Sequence, residues 1–173
     1  MEFNDVIQKR HSVRKFKPDP VPMDVVKRVV NAARLAPSWA NMQGVRYIIV
    51  ASKEQVEKVA NSIGPKWAKT APMFVAAISD EKWSGKRGDL AYFMLDVGIA
   101  FEHLVLAATN EGLGTCWLGA FNEEKLKPVL DIQKKNRIVA MTPLGYPAEE
   151  PKASPRKELS EIAFLDRYGT AFE

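Results

Sequence analysis

The chain has 173 residues, 46% of them apolar, which is enough for a single globular domain with a sizeable core. Its 25 basic and 21 acidic residues are interleaved over most of the length, so the net charge of +4 does not by itself call for a polyanionic partner. The longest apolar stretch, Val97 to Ala108, is interrupted by Glu102 and His103 and falls short of the roughly 20 residues of a membrane span, so no transmembrane helix is predicted.

The opening residues, MEFNDVIQKR, show no basic leader followed by an unbroken apolar block, and the one cysteine, Cys116, cannot close an internal disulfide. Both points predict a cytoplasmic protein. Phe3, Val6 and Ile7 share one helical face, giving a first helix that runs into RHSVRKF at residues 10–16. There Lys9, Arg10, Arg14, Lys15 and Lys17 surround His11 and Ser12 with no acid before Asp19, a cluster that needs either a partner or open solvent. Behind Pro22 and a capping Asp24, the positions Val25, Val26, Val29, Val30 and Ala33 predict a second amphipathic helix, stopped by Pro37.

VRYIIVA (45–51) reads as a strand, 53–62 as a short helix carrying Val56, Val59 and Ala60, and MFVAAIS (73–79) as a buried strand. Leu90 to Glu111 is apolar on nearly every face, which predicts a central helix covered on all sides and ended by Gly112 and Gly114. TCWLGA (115–120) fits a short strand or an extended loop, 123–131 a helix and RIVAMTPLG (137–145) a strand. Pro147, Pro151 and Pro155 then mark an extended arm.

Several chemistries are excluded by spacing. GLGTCW begins like a dinucleotide fingerprint but puts Trp117 in place of the third glycine, and no phosphate loop of the G-x-x-x-x-G-K-[ST] kind is present. Two distant histidines and one cysteine do not make a metal shell, so no metal is expected. Cys116 sits among apolar neighbours and His103 within the apolar helix, so both are assigned structural roles and no nucleophilic triad is expected.

Four stretches in order resemble the flavin-dependent nitroreductase family: RHSVRKF at 10–16, APSWANMQGVRYIIV at 36–50, GLGTCWLGAF at 112–121 and GYPAEEPKASPRK at 145–157. The resemblance implies an α+β fold, a sandwich of helices around a mostly antiparallel sheet. It implies one domain over 1–173, an intertwined homodimer with flavin mononucleotide (FMN) at the interface, and residues 146–173 as an arm reaching the partner.

By the same resemblance, Arg10, His11 and Ser12 meet the phosphate and ribityl end, where a guanidinium fork and a hydroxyl suit phosphate oxygens. Arg14 reaches the pyrimidine edge, where a fixed cation favours the reduced anion. Pro37, Ser38, Asn41 and Gln43 contact the flavin held mainly by the other subunit, while Trp39 either shapes the substrate pocket or packs at the interface. Trp117, Leu118 and Gly119 pass the N5 edge, where glycine lets backbone approach a flat ligand. Arg156 closes on the phosphate, with Lys152 and Lys157 as further candidates, and either Lys66 or Lys69 adds a contact. Many members carry an acid close to the 112–121 stretch, whereas none lies here between Glu111 and Glu123.

The implied activity is a two-stroke oxidoreduction that moves a hydride from NAD(P)H to a nitroaromatic, quinone or similar flat acceptor. No side chain serves as an obligatory acid, base or nucleophile, because the flavin carries the chemistry. The alternatives are a non-enzymatic flavin carrier, a basic module for nucleic acid, or another reaction of the fold such as reductive dehalogenation. Nucleic acid is disfavoured because aromatic residues are not interleaved with the basic cluster as a stacking platform requires.

Overall fold

A computed structural model describes every residue except 152 and 173. Four strands form an antiparallel sheet: β1 (Arg46–Val50), β2 (Met73–Ser79), β5 (Gly114–Thr115) and β6 (Arg137–Gly145), in the order β1-β2-β6-β5. A two-residue hairpin, β3 (Lys86–Arg87) with β4 (Leu90–Ala91), stands apart.

MFVAAIS is buried at every position because β2 is central and both faces are covered. Its side chains alternate between two cores, as the strand period demands. Met73, Val75 and Ala77 point to one side, against α2 (Met23–Arg34) and α4 (Phe93–Asn110). Phe74 and Ala76 point to the other, against α3 (Lys53–Ile63) and α5 (Glu123–Val129). The result is an α+β sandwich of helices on both faces of an antiparallel sheet, as expected.

Local signals account for the element ends. The Ser52 hydroxyl accepts the Gln55 N–H at the start of α3, and the Asn122 side chain accepts the Lys125 N–H at the start of α5. Asp24 does not cap α2, as the sequence suggested. It lies one residue inside the helix, where it pairs with Arg28 at 2.9 Å.

The prediction for the apolar helix needs a larger correction. Val97, Phe101, Leu104, Val105 and Ala108 of α4 are fully buried against the sheet, yet Met94 is 57% and Leu95 54% exposed. His103 is exposed too, with Nδ1 3.3 Å from the Ala32 carbonyl oxygen. Apolar composition on every face therefore overstates the burial of this helix, one side of which faces solvent at Met94 and Leu95.

The chain's first and last thirds are joined at the sheet's edge. Phe16 bridges to Pro147, Lys17 donates its N–H to the Tyr146 carbonyl, and Ala148 donates to that of Lys15. Gly145 eases this approach, since a Cβ there would stand 3.2 Å from Phe16 Cδ1, besides meeting Pro72 at 2.6 Å.

Candidate functional site

The basic stretch follows α1 (Phe3–Lys9) and leaves it extended. Two apolar residues, Val13 and Phe16, are buried, and between and before them Ser12, Arg14 and Lys15 are turned to solvent. Val13 donates its N–H to the Thr115 carbonyl at 2.8 Å, with Ser12 opposite Thr115 in a parallel bridge. Gly114 permits this contact, because a Cβ would meet Cβ of Val13 at 2.8 Å. The Phe16 N–H reaches the Thr70 hydroxyl at 3.3 Å, which sets the short 3-10 turn Lys66–Thr70, with Lys66 and Lys69 exposed, beside the basic residues. Among the described residues neither Arg10 nor Arg14 has an acidic partner, and Lys15 has only Glu149 at 3.5 Å.

The second predicted stretch shares that edge. Gly114 and Thr115 pair with Gly145 and Leu144 in β6, and the same register returns at Leu118, which exchanges both backbone bonds with Met141. The Leu118 N–H is therefore already taken. In an antiparallel ladder the intervening residues turn their N–H groups outward, so Trp117 and Gly119 present theirs to the side on which Thr115 meets the basic stretch. Among the described residues neither N–H has an acceptor. Gly119 borders open space, since a Cβ there would touch nothing within 4 Å. A cleft of 210 Å³ begins at this glycine and runs past Phe121 and Met94.

The Trp117 ring is fixed from behind. It packs edge-on against Phe101 at 4.6 Å between centroids and donates its indole N–H to Glu102 at 3.1 Å, with 40% of the residue exposed. Glu102, on α4, thus stands beside the 112–122 stretch, which has no acid of its own.

The loop at 36–44 is held elsewhere, on the N-terminal turn of α4. One oxygen of buried Asp96 accepts the Trp39 N–H at 2.8 Å, and the other accepts the Ser84 hydroxyl at 2.6 Å. Trp39 stacks on Tyr92 with centroids 4.2 Å apart and lies over Gly85, where a Cβ would fall 1.8 Å from the indole nitrogen. Ala40, Asn41 and Gln43 all have positive φ, at 44°, 56° and 53°. Asparagine tolerates this conformation better than alanine does, so strain is concentrated at Ala40. The Ser38 hydroxyl closes the loop by accepting the Gln43 N–H at 2.8 Å.

Pro37, Ser38 and Gln43 also line a cleft of 380 Å³ between α2 and β1. Tyr47 lines the same cleft; its hydroxyl is buried without a hydrogen-bond partner among the described residues, and burial pushes its pKa up to about 12.

In the arm, Arg156 donates to the carbonyls of Ser154 and Pro155, while Lys157 is exposed. Lys152 lies outside the described residues. One copy of the chain therefore joins Arg10–Arg14 to Trp117–Gly119, and holds the 36–44 loop and Arg156 by separate local contacts. Sequence reasoning missed Asp96 and Glu102. The available signal for the two acids was a charge inside an otherwise apolar helix, which rarely occurs without a polar partner.

A family model described as "Putative TM nitroreductase" matches residues 2–170. The fold is similar to the crystal structure of a nitroreductase family protein from Clostridium novyi NT, with 39% identity and a TM-score of 0.80 over 99% of this chain and 97% of that one. The chain is 29% identical over 157 residues to a Methanothermobacter thermautotrophicus protein named "Putative NADH dehydrogenase/NAD(P)H nitroreductase", covering 87% of this chain and 80% of that protein. It is 28% identical over 187 residues to the NAD(P)H FMN reductase of Bacillus subtilis, covering 96% and 75%. The order of the four motifs, the helix-and-sheet sandwich and these likenesses agree, and the chain belongs to the nitroreductase family.

Proposed function

We propose that this protein is a cytoplasmic, homodimeric FMN-dependent oxidoreductase that takes a hydride from NAD(P)H and delivers it to a nitroaromatic, quinone or similar flat acceptor. One observation carries the reading: two arginines without an acidic partner and two backbone N–H groups without an acceptor, among the described residues, lie along one edge, beside the open space at Gly119. That combination fits a flat ring with a phosphorylated tail, which needs cations at one end and, along the ring, hydrogen-bond donors with no Cβ in the way.

Bound FMN supplies the redox chemistry. Arg10, His11 and Ser12 hold its phosphate and ribityl end, joined by Arg156 once that side chain releases its own carbonyls. Arg14 faces the pyrimidine edge, and Trp117 and Gly119 offer their N–H groups to the ring. Leu118 contributes its position in the ladder rather than a donor.

The dimer is supported by what one copy leaves uncovered. The exposed apolar side chains of α4 and Leu90 and the edge of β1, which has no second strand beside it among the described residues, call for a partner, and a tail carrying exposed Leu159, Ile162 and Leu165 is suited to provide one. In this reading residues 1–173 form one domain, 146–173 act as the arm, and Pro37, Ser38, Asn41 and Gln43 serve the flavin of the other copy.

The absorbance spectrum of the purified protein and identification of its released chromophore test the cofactor, and light scattering tests the dimer. A colourless protein that takes up no FMN overturns the reading. Initial rates with NADH or NADPH and a quinone are expected to give parallel double-reciprocal lines.

A further inference from the structure

The register that joins β5 to β6 contains a gap. Gly114 pairs with Gly145 and Leu118 with Met141, so Cys116 stands opposite Pro143 at a position where two backbone bonds are due. Proline has no N–H to donate. The Thr142 hydroxyl fills part of the gap: it accepts the Cys116 N–H at 3.0 Å and donates to the Pro143 carbonyl at 2.8 Å. The backbone between Thr115 and Leu118 is therefore bound to the sheet by a side chain in place of the ladder.

The Trp117 side chain provides the remaining hold. Its ring meets wholly buried Phe101, and its indole N–H is received by Glu102, the residue next to Phe101 on the same helix. Glu102 has no ion-pair partner among the described residues, so its carboxylate is committed to this bond. With part of the ring exposed, loss of the acceptor leaves the indole free to swing toward solvent, and the outward-facing peptides of Trp117 and Gly119 free to tilt about the bonded Cys116 and Leu118.

We propose that Glu102 is a positioning residue: by anchoring the Trp117 indole to α4 it supplements a stretch that lacks the one ladder bond Pro143 cannot donate, and fixes the outward N–H groups of Trp117 and Gly119 where a flavin ring would meet them. The assignment rests on the FMN reading above. It makes a carboxylate distant in sequence responsible for the geometry of the ring-facing edge.

The test compares Glu102→Leu, which lacks an acceptor, with Glu102→Gln, whose side-chain oxygen still accepts the indole proton. Hydrogen exchange of the Trp117 indole N–H in the FMN-free protein reads the anchor directly. FMN affinity and the shape of the bound flavin's absorption band read its effect on the edge. In the leucine variant, indole exchange at least tenfold faster, FMN affinity about tenfold weaker and a shifted flavin band are expected, with the glutamine variant close to the parent in all three. If the parent binds FMN and the leucine variant matches its affinity and spectrum, this proposal falls while the flavin reading stands. If the parent takes up no FMN, the flavin reading falls and takes this proposal with it.

Discussion

Asp96 receives the Trp39 backbone N–H at 2.8 Å on one oxygen and the Ser84 hydroxyl at 2.6 Å on the other, so a single buried carboxylate ties two loops to the start of α4. Asp96→Ala leaves both donors without an acceptor and is expected to cost roughly 1–3 kcal/mol of stability. Asp96→Asn keeps an oxygen for the Trp39 N–H and is expected to lose less. Denaturant unfolding of the two variants measures the difference, and equal losses would mean that the Trp39 bond contributes nothing.

The approach of the basic stretch to β5 depends on the absence of one carbon. Gly114→Ala brings Cβ to within 2.8 Å of buried Val13, and overpacking of this kind costs roughly 1–3 kcal/mol. Because the displaced segment carries Arg10–Arg14, FMN affinity is expected to fall as well. Gly64→Ala is the control for an exposed glycine in open space; with φ at 99° it is expected to lower stability through strain alone and to leave FMN affinity unchanged. Thermal melts paired with FMN titrations separate the two effects.

Arg10 and Arg156 are expected to act on the phosphate. Each change to alanine should weaken FMN binding by roughly 1.5–3 kcal/mol, the scale of a hydrogen bond to a charged group, and weaken riboflavin binding much less. Titration of both ligands into the flavin-free protein decides the matter. Equal losses for the two would place these arginines away from the phosphate.

Glu123 makes stability depend on pH. Burial alone would raise its pKa, but the Ile138 N–H, Arg137 and Lys127 all bond the carboxylate and hold it below the ordinary glutamate range. A lowered native pKa stabilises the fold above the unfolded value, near about 4.3, and that contribution is lost as pH falls through the native one. The wild-type protein is therefore expected to lose stability steadily below about pH 5, and Glu123→Gln to be less stable at pH 7 with a flatter acid limb. Unfolding midpoints from pH 7 down to pH 3 would show this.

Much of this architecture can be read from the sequence, and the failures have physical causes. MFVAAIS and RIVAMTPLG coincide with β2 and β6 because strands buried on both faces over most of their length leave largely apolar runs. The hairpin at 86–91 left no trace, since two-residue strands are too short to show a period. Apolar composition marks helix faces suited to burial without saying what lies against them, which is why α4 reads as covered on all sides although Met94 and Leu95 are exposed. The candidate site follows the same division. The basic residues and the glycines near 114–119 announce themselves by composition, whereas the bond between Glu102 and Trp117 joins residues whose meeting depends on how α4 crosses the sheet.

The pairing of Lys15–Lys17 with Tyr146–Ala148 has a consequence for the order of events during synthesis. The basic segment leaves the ribosome well before its neighbours Thr115, Tyr146 and Ala148, which follow it far along the chain. Contacts so distant in sequence close late and slowly. The arginines of the basic stretch are therefore not placed until the segment at 115–148 has been made and has paired with it.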